Sequence, residues 1–400
     1  MSNDRNAQEL LKWGLANSAN SANPSSSSSS STAVAPVANQ QSIDQISADI
    51  QAGRRPDLSD PNLYNAIMGK SEAQMMSEEL SVATNPTLPL SDRLTALDNF
   101  EMLIEQIDNA NNITSLKMWQ PIISLLTAAE PEIQTAAAWI VGTAVQNNDK
   151  AQMAILDFGP VQSLLELSGS GVEEVRAKAM YALSGLLKHN PVAMDQFDRL
   201  GGWKVLRESL LDPNLGVRRK TAFLINSLLF QDPNTLDSTS TPDPVNSTAT
   251  AIAPIAPSSQ DTTSPPVPLE RGPATQLTST PHPNVSLALL TSRIIPILIS
   301  SLLPHSDLLP PPSGPDGDTD PQTDLDFTEK AATSILTFTA KLPPTPTHLL
   351  DDQTRSLLKE LRVQLEGPPL DAADGATTRW QELGIDQPDF EAFKQKVQTL

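Results

Sequence analysis

The chain of 400 residues contains no cysteine, and aromatic residues make up only 4 % of it, with two tyrosines. Without cysteine there is no disulfide framework and no thiolate-ligated metal, and the absence fits a reducing compartment. Basic charge is scarce as well. The formal net charge is −20, from 27 Lys and Arg against 47 Asp and Glu. A general nucleic-acid or anionic-membrane binder needs a basic surface, so neither partner is expected. Histidines number four, His189, His282, His305 and His348, and they are scattered. No His/Asp/Glu set has metal-ligand spacing, and no phosphate loop, dinucleotide fingerprint or nucleophile elbow is present. His189 ends a helical pattern, where it reads as a C-terminal cap or surface residue. Glu173 and Glu174 begin one, where carboxylates favour the helix dipole. These features point away from an enzyme, and neither a cofactor nor a metal is expected.

Long apolar runs are also missing. The nearest is Leu287 to Leu303, which carries Arg293, Pro296 and several serines. A charge near mid-membrane costs about 2.5–3.5 kcal/mol, so the run reads as a buried helix. Met1 to Asn20 is polar and lacks the apolar core of a signal peptide. A soluble, cytoplasmic protein is expected.

What the chain has in abundance is proline, 35 residues, alongside a modest 38 % of hydrophobic residues. Part of it therefore cannot bury enough apolar surface to order itself. Composition divides it into a disordered arm at 1–40 holding a short amphipathic piece (Leu10 to Ala19), and a helical block at 60–231. A disordered Ser/Thr/Pro-rich insertion follows at 232–285, then C-terminal helices at 286–400 interrupted by a Pro-rich loop at 304–323.

The helical block repeats with a period of 42 residues. An aromatic recurs at Trp139, Tyr181 and Phe223, and apolar sets recur at Val141/Leu183/Ile225, Ala144/Leu186/Leu228 and Val145/Leu187/Leu229. Ala137/Ala179/Thr221 and Ile122/Leu164/Leu206 keep step, with Gly159 and Gly201 placed as C-caps and Pro131 and Pro213 placed at helix starts. This period lies in the armadillo/HEAT range, where each helical unit buries its neighbour's apolar face. The fold class is therefore all-α, an armadillo/HEAT-like solenoid, and both the aromatic and the Leu/Val positions read as core. Charge is polarised along it, with twelve acidic and three basic side chains from Leu90 to Glu174 but five and nine from Val175 to Asp232. Arg176 and Lys178 recur as Arg218 and Lys220, with Arg219 between, and read as a basic ridge on adjacent helices.

Four stretches, LLKWGLANSA (10–19), DNFEMLIEQIDNANNI (98–113), WIVGTAVQNN (139–148) and YALSGLLKHN (181–190), resemble the fungal armadillo-type nucleotide exchange factors of heat-shock protein 70. The resemblance implies a monomeric curved solenoid that grips the mobile lobe of the chaperone's ATPase domain, opens its nucleotide cleft and releases ADP and then client. It implies that Leu10, Leu11, Trp13 and Leu15 occupy the chaperone's client groove. It also moves Arg219, with Ala110 and Asn111 in the DNANN turn, towards partner binding alongside Arg176, Lys178, Arg218 and Lys220. The alternative is an armadillo scaffold or transport adaptor for extended peptides, which would use regularly spaced Trp and Asn; a regulatory subunit of an enzyme complex is a third reading.

Overall fold

Apolar residues at three- and four-residue spacing dictate helices, and in the computed structural model helices are what they form. The structure describes residues 70–233, 236, 280–304, 324–343, 349–369 and 377–400. The arm at 1–40, most of the insertion and the loop at 305–323 lie outside the described residues. Every described helix belongs to the unit Glu72–Leu400.

This unit opens with α1 (Glu72–Ala83) and α2 (Leu90–Ile104). Three complete units of two short helices and one long one follow. They are α3 (Ile107–Ser115), α4 (Trp119–Leu125) and α5 (Pro131–Val145); α6 (Asp149–Leu156), α7 (Pro160–Leu167) and α8 (Glu173–Leu187); and α9 (Pro191–Arg199), α10 (Gly202–Ser209) and α11 (Leu215–Gln231). A fourth unit comprises α12 (Val285–Thr291), α13 (Ile294–Ser300) and α14 (Leu325–Ala340), and α15 (Asp352–Glu366), α16 (Arg379–Glu382) and α17 (Gln387–Gln398) close the row. Long helices pack successively, α2 on α5, α5 on α8, α8 on α11 and α11 on α14. One hydrophobic core runs from Met76 to Val397. The Leu/Val sets anticipated as core are fully buried.

Three devices recur at the joints. The turn between the first and second helix of each unit needs a left-handed residue, supplied by Lys117, Gly159, Gly201 and Arg293 (φ 57°, 67°, 76° and 62°). At the start of a unit, Asn148 and Asn190 accept from the N–H groups of Ala151 and Ala193 (3.3 and 3.0 Å), which would otherwise lack partners. Before the long helix, the side chains of Gln134, Arg176 and Arg218 each donate to a carbonyl six residues back, of Ala128, Ser170 and Asp212. Arg93 does the same job on α2 by donating to the Ala83 carbonyl.

Several expectations are corrected. Leu287 to Leu303 is two short helices, because Arg293 takes the left-handed turn between them. Pro131 begins α5, but Pro213 stands two residues before α11, where Asn214 is the cap. Asp232, expected to open the insertion, belongs to the fold. It stands 42 residues after Asn190 and is buried. Its Oδ2 accepts from the N–H groups of Val285 and Ser286 at 2.9 and 3.3 Å, so it caps α12 from 53 residues away in sequence. Its carbonyl accepts from Lys341 Nζ, and the N–H of Leu236 donates to the Lys341 carbonyl at 3.3 Å.

Two outcomes are expected. Lys117→Gly relieves an L-residue of its left-handed conformation without touching the core, and should raise unfolding free energy by about 0.5–1 kcal/mol in urea titration. Asp232→Ala should lower it by roughly 1–3 kcal/mol, with Asp232→Asn recovering most of the loss, because asparagine performs this task in the two preceding units.

Candidate partner-binding face

The exposed stripe of each long helix follows from which positions are buried. In α5, Ala137, Ala138, Ile140, Val141, Ala144 and Val145 all turn inward, so Trp139 is left outward and is 36 % exposed. Phe223 on α11 is 46 % exposed, and Tyr181 on α8 is half-buried. The expectation that the recurring aromatic is core is thus overturned. Its neighbours on either side fill the core, and the ring lies on the long-helix face.

Lys178 belongs to this face. Its Nζ lies 3.3 Å from the centre of the Trp139 ring and 6.0 Å from that of Tyr181, a cation–π arrangement. Burial lowers its pKa from the ordinary lysine value, and the like charge of Lys220 adds to this, while Glu101 opposes it. Glu101 is itself buried and accepts from Thr143 Oγ1 at 2.6 Å. Lys178, Lys220, Trp139 and Tyr181 are therefore brought together across α5, α8 and α11.

The other expected residues have different settings. Arg176 forms a two-pronged pair with Asp212, Nε to Oδ2 at 2.6 Å and Nη2 to Oδ1 at 2.9 Å, with both side chains nearly buried. The bonds to Asp212 raise its pKa above the usual guanidinium value. Arg218 is buried and holds the Asp212 carbonyl. The basic ridge is corrected accordingly: Arg176 and Arg218 are joint fasteners, and of the five residues only Arg219 and Lys220 are exposed, with Lys178 half-buried. Arg219 grips Asp324, the cap of α14, through Nε to Oδ1 at 2.9 Å and through Nη2 to Oδ2, which raises its pKa. Nothing in the sequence marked Asp324 as that partner, since 105 residues separate the two.

Ala110 was expected in an exposed turn. It lies instead within α3 and is 2 % exposed. Asn109 beside it is buried and donates to Glu72 Oε2 (2.9 Å) and the Leu103 carbonyl (2.8 Å), while Asn111 is half-buried. DNANN is thus a helix fastened to its neighbours. Leu10, Leu11, Trp13 and Leu15 lie outside the described residues.

The chain is 67 % identical over its whole length, and over the whole length of the relative, to the "Hsp70 nucleotide exchange factor FES1" of Mycosarcoma maydis. It belongs to the Fes1 family. The family description "Nucleotide exchange factor Fes1" matches residues 7–113, and "SIL1/FES1/HPBP1 C-terminal domain" matches residues 109–249. The FES1 proteins of Cryptococcus neoformans var. neoformans and Saccharomyces cerevisiae are 41 % and 36 % identical, over 46 % and 45 % of this chain and 51 % and 66 % of their own. A designed armadillo repeat protein matches in fold alone (TM-score 0.51, 12 % identity, 82 % of this chain and 100 % of that one). The family strings acquire physical meaning here. In AVQNN, Asn147 is left-handed and Asn148 is a cap; in KHN, His189 and Asn190 repeat both roles.

Replacing Arg176 by Ala should cost about 3 kcal/mol or more, because it strands the Asp212 carboxylate in the fold. Arg219→Ala should cost less than about 1 kcal/mol, as expected for an exposed pair. Ala110→Arg should unfold or strongly destabilise the domain, since the new charge has no cavity to enter. Denaturant titration of the three variants checks the order.

Proposed function

We propose that the chain is a non-catalytic co-chaperone that binds the ATPase domain of a cytosolic heat-shock protein 70 and accelerates ADP release, and thereby client release. The full-length identity to the Mycosarcoma maydis exchange factor carries this reading. The face around Trp139, Lys178, Tyr181, Arg219, Lys220 and Phe223 is the proposed contact surface, because it is the exposed stripe of successive long helices. Exchange requires no reacting group. The protein need only bind the open nucleotide cleft better than the closed one, and a shift from 1:99 to 99:1 takes about 5.5 kcal/mol of differential affinity. Leu10, Leu11, Trp13 and Leu15 are proposed to enter the client groove, and the protein to act in the cytoplasm as a monomer. Among the described residues no helix is long and apolar enough to cross a membrane.

The peptide-adaptor reading is less well supported. One turn beyond Trp139, Tyr181 and Phe223 stand Thr143, Gly185 and Ser227, so there is no ladder of side-chain amides to pair with an extended backbone. Stopped-flow release of a fluorescent ADP analogue from a cytosolic heat-shock protein 70 ATPase domain tests the proposal. Acceleration that rises with added protein and saturates is expected; an unchanged rate at saturating protein would refute it.

A further inference from the structure

The long-helix face is not uniform along the row. At its N-terminal end, α2, α5 and the start of α8 enclose a groove of about 640 Å³. The residues that line it include the aliphatic Leu94 and Val172, the aromatic Trp139, and the acidic Asp98, Glu132 and Glu174. All three carboxylates belong to exposed residues, and Trp139 is on the rim with part of its ring uncovered. Glu132 and Glu174 occupy the same position in successive units, the second residue of α5 and of α8; the third unit has Gly216 there, so the acidic pair is confined to this end. Among the described residues, none of the three carboxylates forms an ion pair or a side-chain hydrogen bond. Glu174 acts on Arg176 only through space, behind Asp212 and Glu173. Lys178 lies against the Trp139 ring, yet it does not line the groove.

Carboxylates in the first turn of a helix complement its dipole, and that alone accounts for Glu132 and Glu174 as helix-starting residues. It does not account for their convergence with Asp98, from a third helix, on an apolar recess edged by an indole. Such a recess suits a cation carried on an aliphatic stem: the stem packs on Leu94 and Val172, the head meets the carboxylates, and the indole edges the site. The surrounding half of the row, with twelve acidic against three basic side chains, repels anions and attracts cations.

We infer that this groove is a docking site for a partner-protein segment that presents an arginine or lysine beside an aliphatic residue. It shares Trp139 with the proposed contact surface and adjoins Lys178, with Lys220 further along the row, but it does not rest on the exchange reading. The two ends of the face then carry opposite charge preferences, which would set the direction in which a partner lies along the row.

The test uses the full chain and a fluorescein-labelled nonapeptide of alternating arginine and leucine, read by fluorescence anisotropy at about 0.15 M salt, where charges beyond about 8 Å are screened. Saturable binding is expected. The double variant Glu132→Gln/Glu174→Gln should weaken it about tenfold or more, since both carboxylates face the cation. Trp139→Ala should weaken it about fivefold. A control double variant of equal charge change outside the groove, Glu105→Gln/Asp157→Asn, should change it less than about twofold at this salt. Equal loss in the two double variants would reduce the binding to net charge and overturn the proposal. So would equally tight binding of a peptide with glutamate in place of arginine, or no saturable binding at all. The double variants exchange surface carboxylates for their amides, and an unchanged circular dichroism melt confirms that their fold is intact.

Discussion

The long helices α5 and α8 approach closely because Gly142 leaves space that Tyr181 occupies. A Cβ at Gly142 would lie 2.4 Å from the Tyr181 ring carbons and 3.2 Å from Ala182 Cα. On the facing helix, a Cβ at Gly185 would meet Val145 Cγ2 at 3.2 Å. Short separation lets the inward side chains of both helices interdigitate, and this makes the buried sets continuous from one unit to the next. A three-helix unit has no way to cover its own apolar flank, so every joint downstream relies on such contact. The outward stripe is a by-product of the same packing. Once the positions on either side of Trp139 are committed to the core, the residue between them is forced outward.

Period and core were legible in the sequence, because burial imposes the same residue classes at the same register in every unit. Leu183 and Ile225, or Leu186 and Leu228, could hardly read otherwise. The aromatic column misled because it keeps that period and is apolar, yet it sits at the centre of the exposed stripe, which in α5 runs through Ala136, Trp139 and Thr143. Only the actual packing angle separates this stripe from its neighbours. The arginines misled for a related reason. Recurrence at the solenoid period is what a joint fastener shows, and Gln134, in the place of Arg176 and Arg218, was the signal that hydrogen bonding and not charge was being repeated. Ala110 was unreadable as buried because its asparagine neighbours suggest a turn, whereas the buried Asn109 is satisfied by Glu72 and Leu103 from other elements.

The face that remains is small and chemically divided. Lysines and aromatics meet around Lys178, an arginine is held in place by the cap of α14, and an acidic recess adjoins Trp139 on the α2 side. Arg219 links the long-helix face to the fourth unit, since the carboxylate that orients it also starts α14. The position of that helix and the posture of the guanidinium are consequently coupled.

The Asp232 cap has a consequence for the connection between the third and fourth units. Beyond the packing of α11 on α14 and the Arg219–Asp324 pair, the third unit is tied to the fourth by Asp232, Leu236 and Lys341, with Asp232 and Lys341 each at a helix end. Every one of those bonds is made by residues outside positions 237–279. Doubling the length of a connection adds only about 0.6 kcal/mol of closure entropy. A change in the length of that connection therefore costs the joint little in closure entropy.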